Sequence, residues 1–573
     1  MGKLLKKMSF FSVLMAIVFM FVQVLSDLYL PTLTSDIINN GVSKGDVKYI
    51  WSVGLVMLGY SVISILASIG NTFFATKESQ KLGKRLRSEI YQKVEYASLD
   101  QFDQFGTATL ITRTTNDVNQ IQMVTQMGLR IMMMAPITLI GASIMAYRLD
   151  HQLTKIFLYV IPILMVFLGV VMYFAVPLFK SMQTKTDKLN LIFREGLTGV
   201  RVIRAFNRDD YEAKRFDTAN QDFVNTAIKV NTIVAFLIPI VTLIMSGTNI
   251  LIVWQGGHYI ANMEMDVGNL IAFMTYATQI LMSFMMLSMI FVFVPRAQAS
   301  AERINEVLDM KDDILDPEKP VELTEASPEL SFQQVDFRYA GAEKCSLQQI
   351  DFTAKKGETV AIIGGTGSGK TTLVNLIPRF FEVENGSIQM NGTDIRSYRQ
   401  QDLRSRIGFV PQKARLFKGT IRDNMLYGDQ QATDEQIWKA LEIAQAKDFV
   451  SQLPEGLDSR VEQGGGNFSG GQRQRLCIAR ALVKQADVYV FDDSFSALDF
   501  KTDGQLRQAL KENVTDSIVV LVAQRISTVV DADIILVLDE GKLVGKGTHQ
   551  ELKENCTTYQ EIISSQLREE EIA

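Results

Sequence analysis

"GGTGSGKT", residues 364–371, directly follows the strand-like run "ETVAII". A short apolar strand running into a glycine-rich loop is the context that a phosphate-cradling loop requires. Gly364, Gly365, Gly367 and Gly369, with Thr366 and Ser368 between them, let backbone N–H groups approach an anion at a helix N-terminus. Lys370 reaches terminal phosphates, the Thr371 hydroxyl can ligate magnesium, and Thr372 completes the nucleotide-binding set. A chance glycine turn would not need the strand ahead of it. The stretch therefore predicts an α/β domain built to hold a nucleotide.

Outward from this loop the text changes character. After about Pro317 it alternates short apolar strands, glycine turns and charged helices, whereas before about Val294 long apolar runs are broken by basic stretches. With 573 residues, 47% of them hydrophobic, the chain is too long for one ordinary domain. Its mean hydropathy of +0.11 makes it too apolar to be wholly soluble. We divide it into a membrane domain at 1–295, a linker at 296–329 and a nucleotide-binding domain at 330–573. The net charge of -5 suggests no nucleic-acid partner. Cys345, Cys477 and Cys556 are odd in number and lack metal-ligand spacing, which reads as reduced thiols.

Six segments can cross a bilayer, which takes roughly 20 apolar residues each. They lie at 10–30, 50–74, 127–147, 156–179, 233–254 and 270–294. The first follows Lys3, Lys6 and Lys7 but is too long for a signal peptide and lacks a small-residue cleavage site. Lys77, Lys81, Lys84, Arg85 and Arg87 follow the second segment, and Lys180, Lys185, Lys188, Arg194, Arg201, Arg204 and Arg208 follow the fourth. The alternate loops carry few bases, so both termini are expected in the cytoplasm. The two basic segments are each roughly 50 residues, far longer than an ordinary connection, and their spacing reads as helix. The spans are therefore expected to continue well into the cytosol.

Near the middle of those segments stand "QFDQFGTATLITRTTNDV" (101–118) and "REGLTGVRVIRAFNRDDYEAKRF" (194–216). They resemble the coupling-helix regions of ABC exporters, and "ASAERINEVLD" (299–309) resembles that family's link into its nucleotide-binding domain. Further resemblances appear in the family's order: Tyr339 in "VDFRYAG", Gln412 in "GFVPQ", "FSGGQ" at 468–472, and "SALD" at 496–499. The resemblance implies that Tyr339 stacks on adenine and that Gln412 and Asp492 join Thr371 at the magnesium ion. It implies that Ser469, Gly470, Gly471 and Gln472 form a second phosphate cradle facing a partner's ATP. Phe468 stands where the family usually has Leu.

Two positions depart from the family pattern. "VYVFDDSFSALD" (488–499) has Asp493 where a hydrolysing member has Glu, and Gln524 in "VVLVAQRISTV" stands in place of the switch histidine. Both belong to the hydrolytic step, while the residues that hold nucleotide and magnesium are retained. The resemblance thus implies the degenerate-site subunit of a bacterial heterodimeric multidrug exporter. Such a subunit sits in the plasma membrane and pairs with a half-transporter carrying intact Glu and His, and it exports amphipathic drugs or lipids. An ATP-gated channel or a sensor that binds ATP without transport are the alternatives, and the spans lack the charged rings of a channel. Met132, Met133, Met134, Met145, Met245, Met274, Met282, Met285, Met286 and Met289 suit either a promiscuous binding wall or helix packing. Asp27 is the one acid well inside an apolar run, a candidate substrate contact for a cation or else an interfacial carboxylate.

Overall fold

Apolar runs without interior charge offer a backbone no solvent partner inside a bilayer, so they satisfy their own N–H and C=O groups as helix. Among the described residues of the computed structural model six helices are long and apolar enough to cross a membrane: Phe10–Val42, Val47–Glu95, Thr107–Leu149, His151–Thr198, Asp209–Ala261 and Val267–Leu287. The structure describes residues 1–573 except 289, 311–312, 323–326 and 573, so Met289 and parts of the 296–329 segment lie outside the described residues. Residues 296–308 are helical, within Ile290–Leu308.

The first five of these helices are longer than the spans read from the sequence. Val47–Glu95 has 49 residues, about 70 Å at 1.5 Å per residue and more than twice the hydrocarbon thickness. The first span, expected to stop before Pro31, carries that proline inside the helix Phe10–Asp36 and continues through a π-helical turn, Ile37–Val42. Pro31 is buried, so packing there outweighs the lost backbone bond. The two basic segments do turn back near their middles. Around the short helix Leu99–Phe105 the chain turns at Gly106, with φ +71°; around Val200–Ala205 it turns at Gly199 and at Asn207, with φ +54°.

The chain forms two compact units. The first is Met1–Glu95 with Ala108–Asp309. Its core packs Met20, Val24 and Leu28 against Ala142, Ala146, Phe273, Tyr276 and Ile280. Small residues permit the close approach, since a Cβ on Gly141 would lie 2.4 Å from a Leu28 methyl. Other large apolar side chains, Leu158 and Trp254 among them, point outward as lipid-facing residues do. Glu78, Arg113 and Asp117 are buried ionisable residues of this unit, and Asp117 accepts hydrogen bonds from Ser300 Oγ (2.9 Å) and Arg303 Nε (2.8 Å).

The second unit comprises Tyr96–Thr107 and Met310–Ala573. It is built on a ten-stranded mixed sheet. Toward one edge of it five parallel strands lie side by side in the order Ile534–Asp539, Thr359–Gly364, Ile518–Val522, Val488–Asp492, Ile407–Val410, the last being the edge strand. Every residue of Val488–Asp492 is buried: Val488 and Val490 face one apolar cluster, and Tyr489 and Phe491 face another. This two-sided burial is why the strand reads as a continuous apolar run. The carboxyl ends of Thr359–Gly364 and Val488–Asp492 then deliver the loops that carry chemistry.

Candidate active site

Gly364 ends its strand against Leu538, its register partner, and a Cβ there would lie 2.1 Å from the Leu538 carbonyl oxygen. The loop then needs left-handed backbone at Gly367 (φ +81°) and Gly369 (φ +100°) before the helix Lys370–Leu376 begins. Lys370 Nζ donates to the loop's own carbonyls, at 2.8 Å to Gly364 and 2.7 Å to Gly365. Burial lowers the Lys370 pKa, and the charges of Asp493 and Asp492 act against that shift.

Around this loop lies a cavity of about 610 Å³. It is lined by Tyr339, Thr366, Gly367, Ser368, Gly369, Lys370, Thr371, Thr372, Gln412, Asp492, Asp493 and Gln524, so nearly all the expected nucleotide residues converge. Gly364 and Gly365 contribute the carbonyls beneath Lys370. The Tyr339 hydroxyl lies 2.9 Å from Thr372 Oγ1, and its ring meets Phe337 and Phe381 edge-on, which fixes the ring at the cavity wall. Cys345, Glu540 and Gly541 also line the cavity, and no local sequence pattern marks them.

The Thr371 hydroxyl donates to Asp492 Oδ1 at 3.0 Å. Burial raises the Asp492 pKa; the Thr371 hydrogen bond lowers it, the neighbouring Asp493 raises it further and Lys370 lowers it. A hydroxyl beside one carboxylate is a hard oxygen pair of the kind magnesium accepts together with phosphate oxygens and water. Among the described residues no group of three or more His, Cys, Asp or Glu side chains could hold a metal unaided.

Asp493 has φ +47°, a left-handed conformation uncommon outside glycine but tolerated by Asp. Its Oδ2 accepts from Gln524 Nε2 at 2.8 Å and from Gln412 Nε2 at 3.3 Å. The two positions that depart from the family pattern are therefore bonded to each other. Behind them the C-terminal helix Thr557–Ile572 adds a contact that no motif announces: Gln566 Nε2 donates to the Gln524 carbonyl at 2.7 Å, and Ile526 N–H donates to Gln566 Oε1 at 2.8 Å.

The second expected cradle lies apart from this cavity. Ser469 caps the helix Gly470–Val483 in a capping box: its Oγ accepts from Gln472 N–H (3.3 Å), and its N–H donates to Gln472 Oε1 (2.9 Å). Ser469, Gly470, Gly471 and Gln472 do not line the P-loop cavity. Phe468 is buried in the apolar cluster with Leu476.

Asp27 is in the first unit, partly buried, and accepts from Ser64 Oγ at 2.5 Å. It lines a second cavity together with Met134, Met282 and Met286. Met133, Met145, Met245, Met274 and Met285 pack against the helix core, as does Met134.

Two family models match the chain: "ABC transporter transmembrane region" over residues 13–284 and "ABC transporter" over 347–496. An uncharacterized ABC transporter ATP-binding protein of Mycobacterium tuberculosis is 41% identical over 97% of this chain and 96% of its own length. An ATP-dependent lipid A-core flippase of Pseudomonas aeruginosa is 31% identical over 88% of this chain and 84% of its own. In fold the chain is similar to a bacterial Atm1-family ABC exporter solved with ATP bound. That match has a TM-score of 0.78 and 24% identity, and covers 97% of this chain and 98% of the other.

Proposed function

The chain belongs to the ABC transporter family as an exporter half-transporter, one membrane region joined to one ATPase region, and from that premise we propose that it is the slow-site subunit of a two-chain exporter. The observation that carries this reading is the Asp493–Gln524 pair. Asp is one methylene shorter than Glu, and a reacting group misplaced by about 1 Å can cost on the order of 100-fold in rate. The carboxylate oxygen that would orient water is already shared by two amides, and an amide cannot carry a proton as imidazole does.

Binding is a separate matter, and the residues for it fit. Backbone N–H groups of Gly365 to Lys370 cradle phosphates, Lys370 faces the terminal ones, and the Tyr339 ring offers a face to adenine. Thr371, Asp492 and Gln412 would hold magnesium, which when bound neutralises charge between the β- and γ-phosphates. ATP at this site then acts as a slowly exchanged brace.

Ser469, Gly470, Gly471 and Gln472 serve a second site, completed by the P-loop, Glu and His of a different half-transporter. Their separation from the chain's own cavity supports that division of labour. The cargo is an amphipathic drug or a lipid, in keeping with the flippase named among the relatives. The setting is a bacterial plasma membrane with both termini inside. Purification from the native membrane tests the reading directly. A second ABC chain should co-purify, and the tagged chain alone should bind ATP with little turnover. Vigorous ATPase from the homogeneous chain would refute it.

A further inference from the structure

The cavity beside Asp27, about 420 Å³, opens between the first, third and sixth spanning helices and is large enough for a drug-sized group. Its hydrogen-bonding groups are unequal. Asp27 Oδ1 accepts from Ser64, and Oδ2 carries no hydrogen bond among the described residues. Pro31, four residues on, has no N–H for the Asp27 backbone carbonyl. The hydroxyls of Thr34 and Thr275 donate to the carbonyls of Leu30 (3.0 Å) and Ile271 (3.1 Å), which turns their hydrogens away and leaves lone pairs. Gln279 Oε1 and Thr138 Oγ1 are buried without a partner. The Gln279 amide and the Thr138 and Ser283 hydroxyls can donate, but the Asp27 carboxylate and the lone pairs of Thr34, Thr275, Gln279 and Thr138 outnumber those hydrogens, and Met134, Met282 and Met286 supply the apolar remainder of the wall.

Charge alone would be answered by any cation, but an acceptor-rich wall is satisfied only by a cation that brings hydrogens. We propose that this cavity recognises the N–H-bearing ammonium group of an amphipathic amine, its charge against Asp27 and its apolar body along the three methionines. The inference rests on the exporter reading and narrows the class of cargo. A quaternary ammonium of similar shape has the charge without the N–H groups and leaves the acceptors unpaired, the kind of mismatch that polar sites reject strongly. The amine can belong to a lipid headgroup or to a soluble compound.

The test uses the full chain in the assembly purified from its own membrane, reconstituted in proteoliposomes. Two matched pairs are compared for ATP-driven movement: a fluorescent long-chain alkylamine against its N-trimethyl analogue, and labelled phosphatidylethanolamine against labelled phosphatidylcholine. In at least one pair the N–H compound should move with an apparent affinity about 10-fold or more greater, the worth of one charge-assisted hydrogen bond. Asp27→Asn should bring that ratio close to one. A preference confined to the lipid pair assigns the cavity to a headgroup, and one confined to the dye pair assigns it to soluble amines. Equal affinities within both wild-type pairs overturn the proposal whatever the variant does, and so does a ratio that survives Asp27→Asn. If neither pair nor a neutral amphipath moves with ATP, the exporter reading has failed and this inference falls with it.

Discussion

Lys370 rests on two carbonyls of its own loop, and burial holds its ammonium below the ordinary lysine pKa of 10.5. Bound polyphosphate would add negative charge beside it and favour the protonated form, raising that pKa again. In the alkaline range between the two values, ATP binding should therefore take up a proton, and affinity should fall as pH rises through the lower one. Calorimetry in buffers of unequal ionisation enthalpy reads the uptake directly. Lys370→Arg should abolish it, because a guanidinium stays charged throughout; proton release on binding would contradict the assignment. At this scale the sequence is legible where chemistry is local. The P-loop and Asp492 can be read from a dozen consecutive letters. The oddity of Asp493 and of Gln524 can be read as well, but not that they touch. That contact joins positions 31 apart in the chain, and Gln412 reaches the same oxygen from 81 positions away. Only the parallel pairing of Val488–Asp492 with Ile518–Val522 brings the first two together.

Between elements, the contact with most leverage is the grip of the C-terminal helix on the backbone around Gln524. Each hydrogen bond is worth about 1 kcal/mol net, so Gln566→Ala should make local opening of residues 524–526 easier by roughly 1–2 kcal/mol. Amide exchange at Ile526 should accelerate about 5- to 30-fold by hydrogen-exchange mass spectrometry, while exchange in the strand Ile518–Val522 stays slow. Unchanged protection at Ile526 would show that the loop is held by other means. The spanning helices are the most legible elements, because continuous apolar composition dictates helix in a bilayer. Their ends are less so. Pro31 reads as a stop in one dimension and is carried inside a helix in three, and the π turns at Ile37–Val42, Arg113–Asp117 and Gly128–Met132 leave no letter signature.

In the proposed two-chain exporter the two cradles belong to different nucleotides, and their variants should act separately. Ser469→Arg should block the site completed by the partner and remove nearly all turnover of the pair. Lys370→Ala should weaken nucleotide retention at this chain's own site and leave hydrolysis reduced but measurable. ATPase and dye transport of matched variants in the co-purified pair decide between them. If Lys370→Ala silences the pair and Ser469→Arg spares it, the assignment of sites is inverted.

The second unit gathers Tyr96–Thr107 with Met310–Ala573, so its parts are not consecutive in the chain. A ribosome adds about 5–20 residues per second, and the roughly 200 residues between those parts take about 10–40 s to make. For that interval the segment Leu99–Phe105 has been made while the rest of the unit it joins has not. Synthesis thus imposes a waiting time on the newborn protein, during which its helices enter the bilayer while the ATPase is still unwritten.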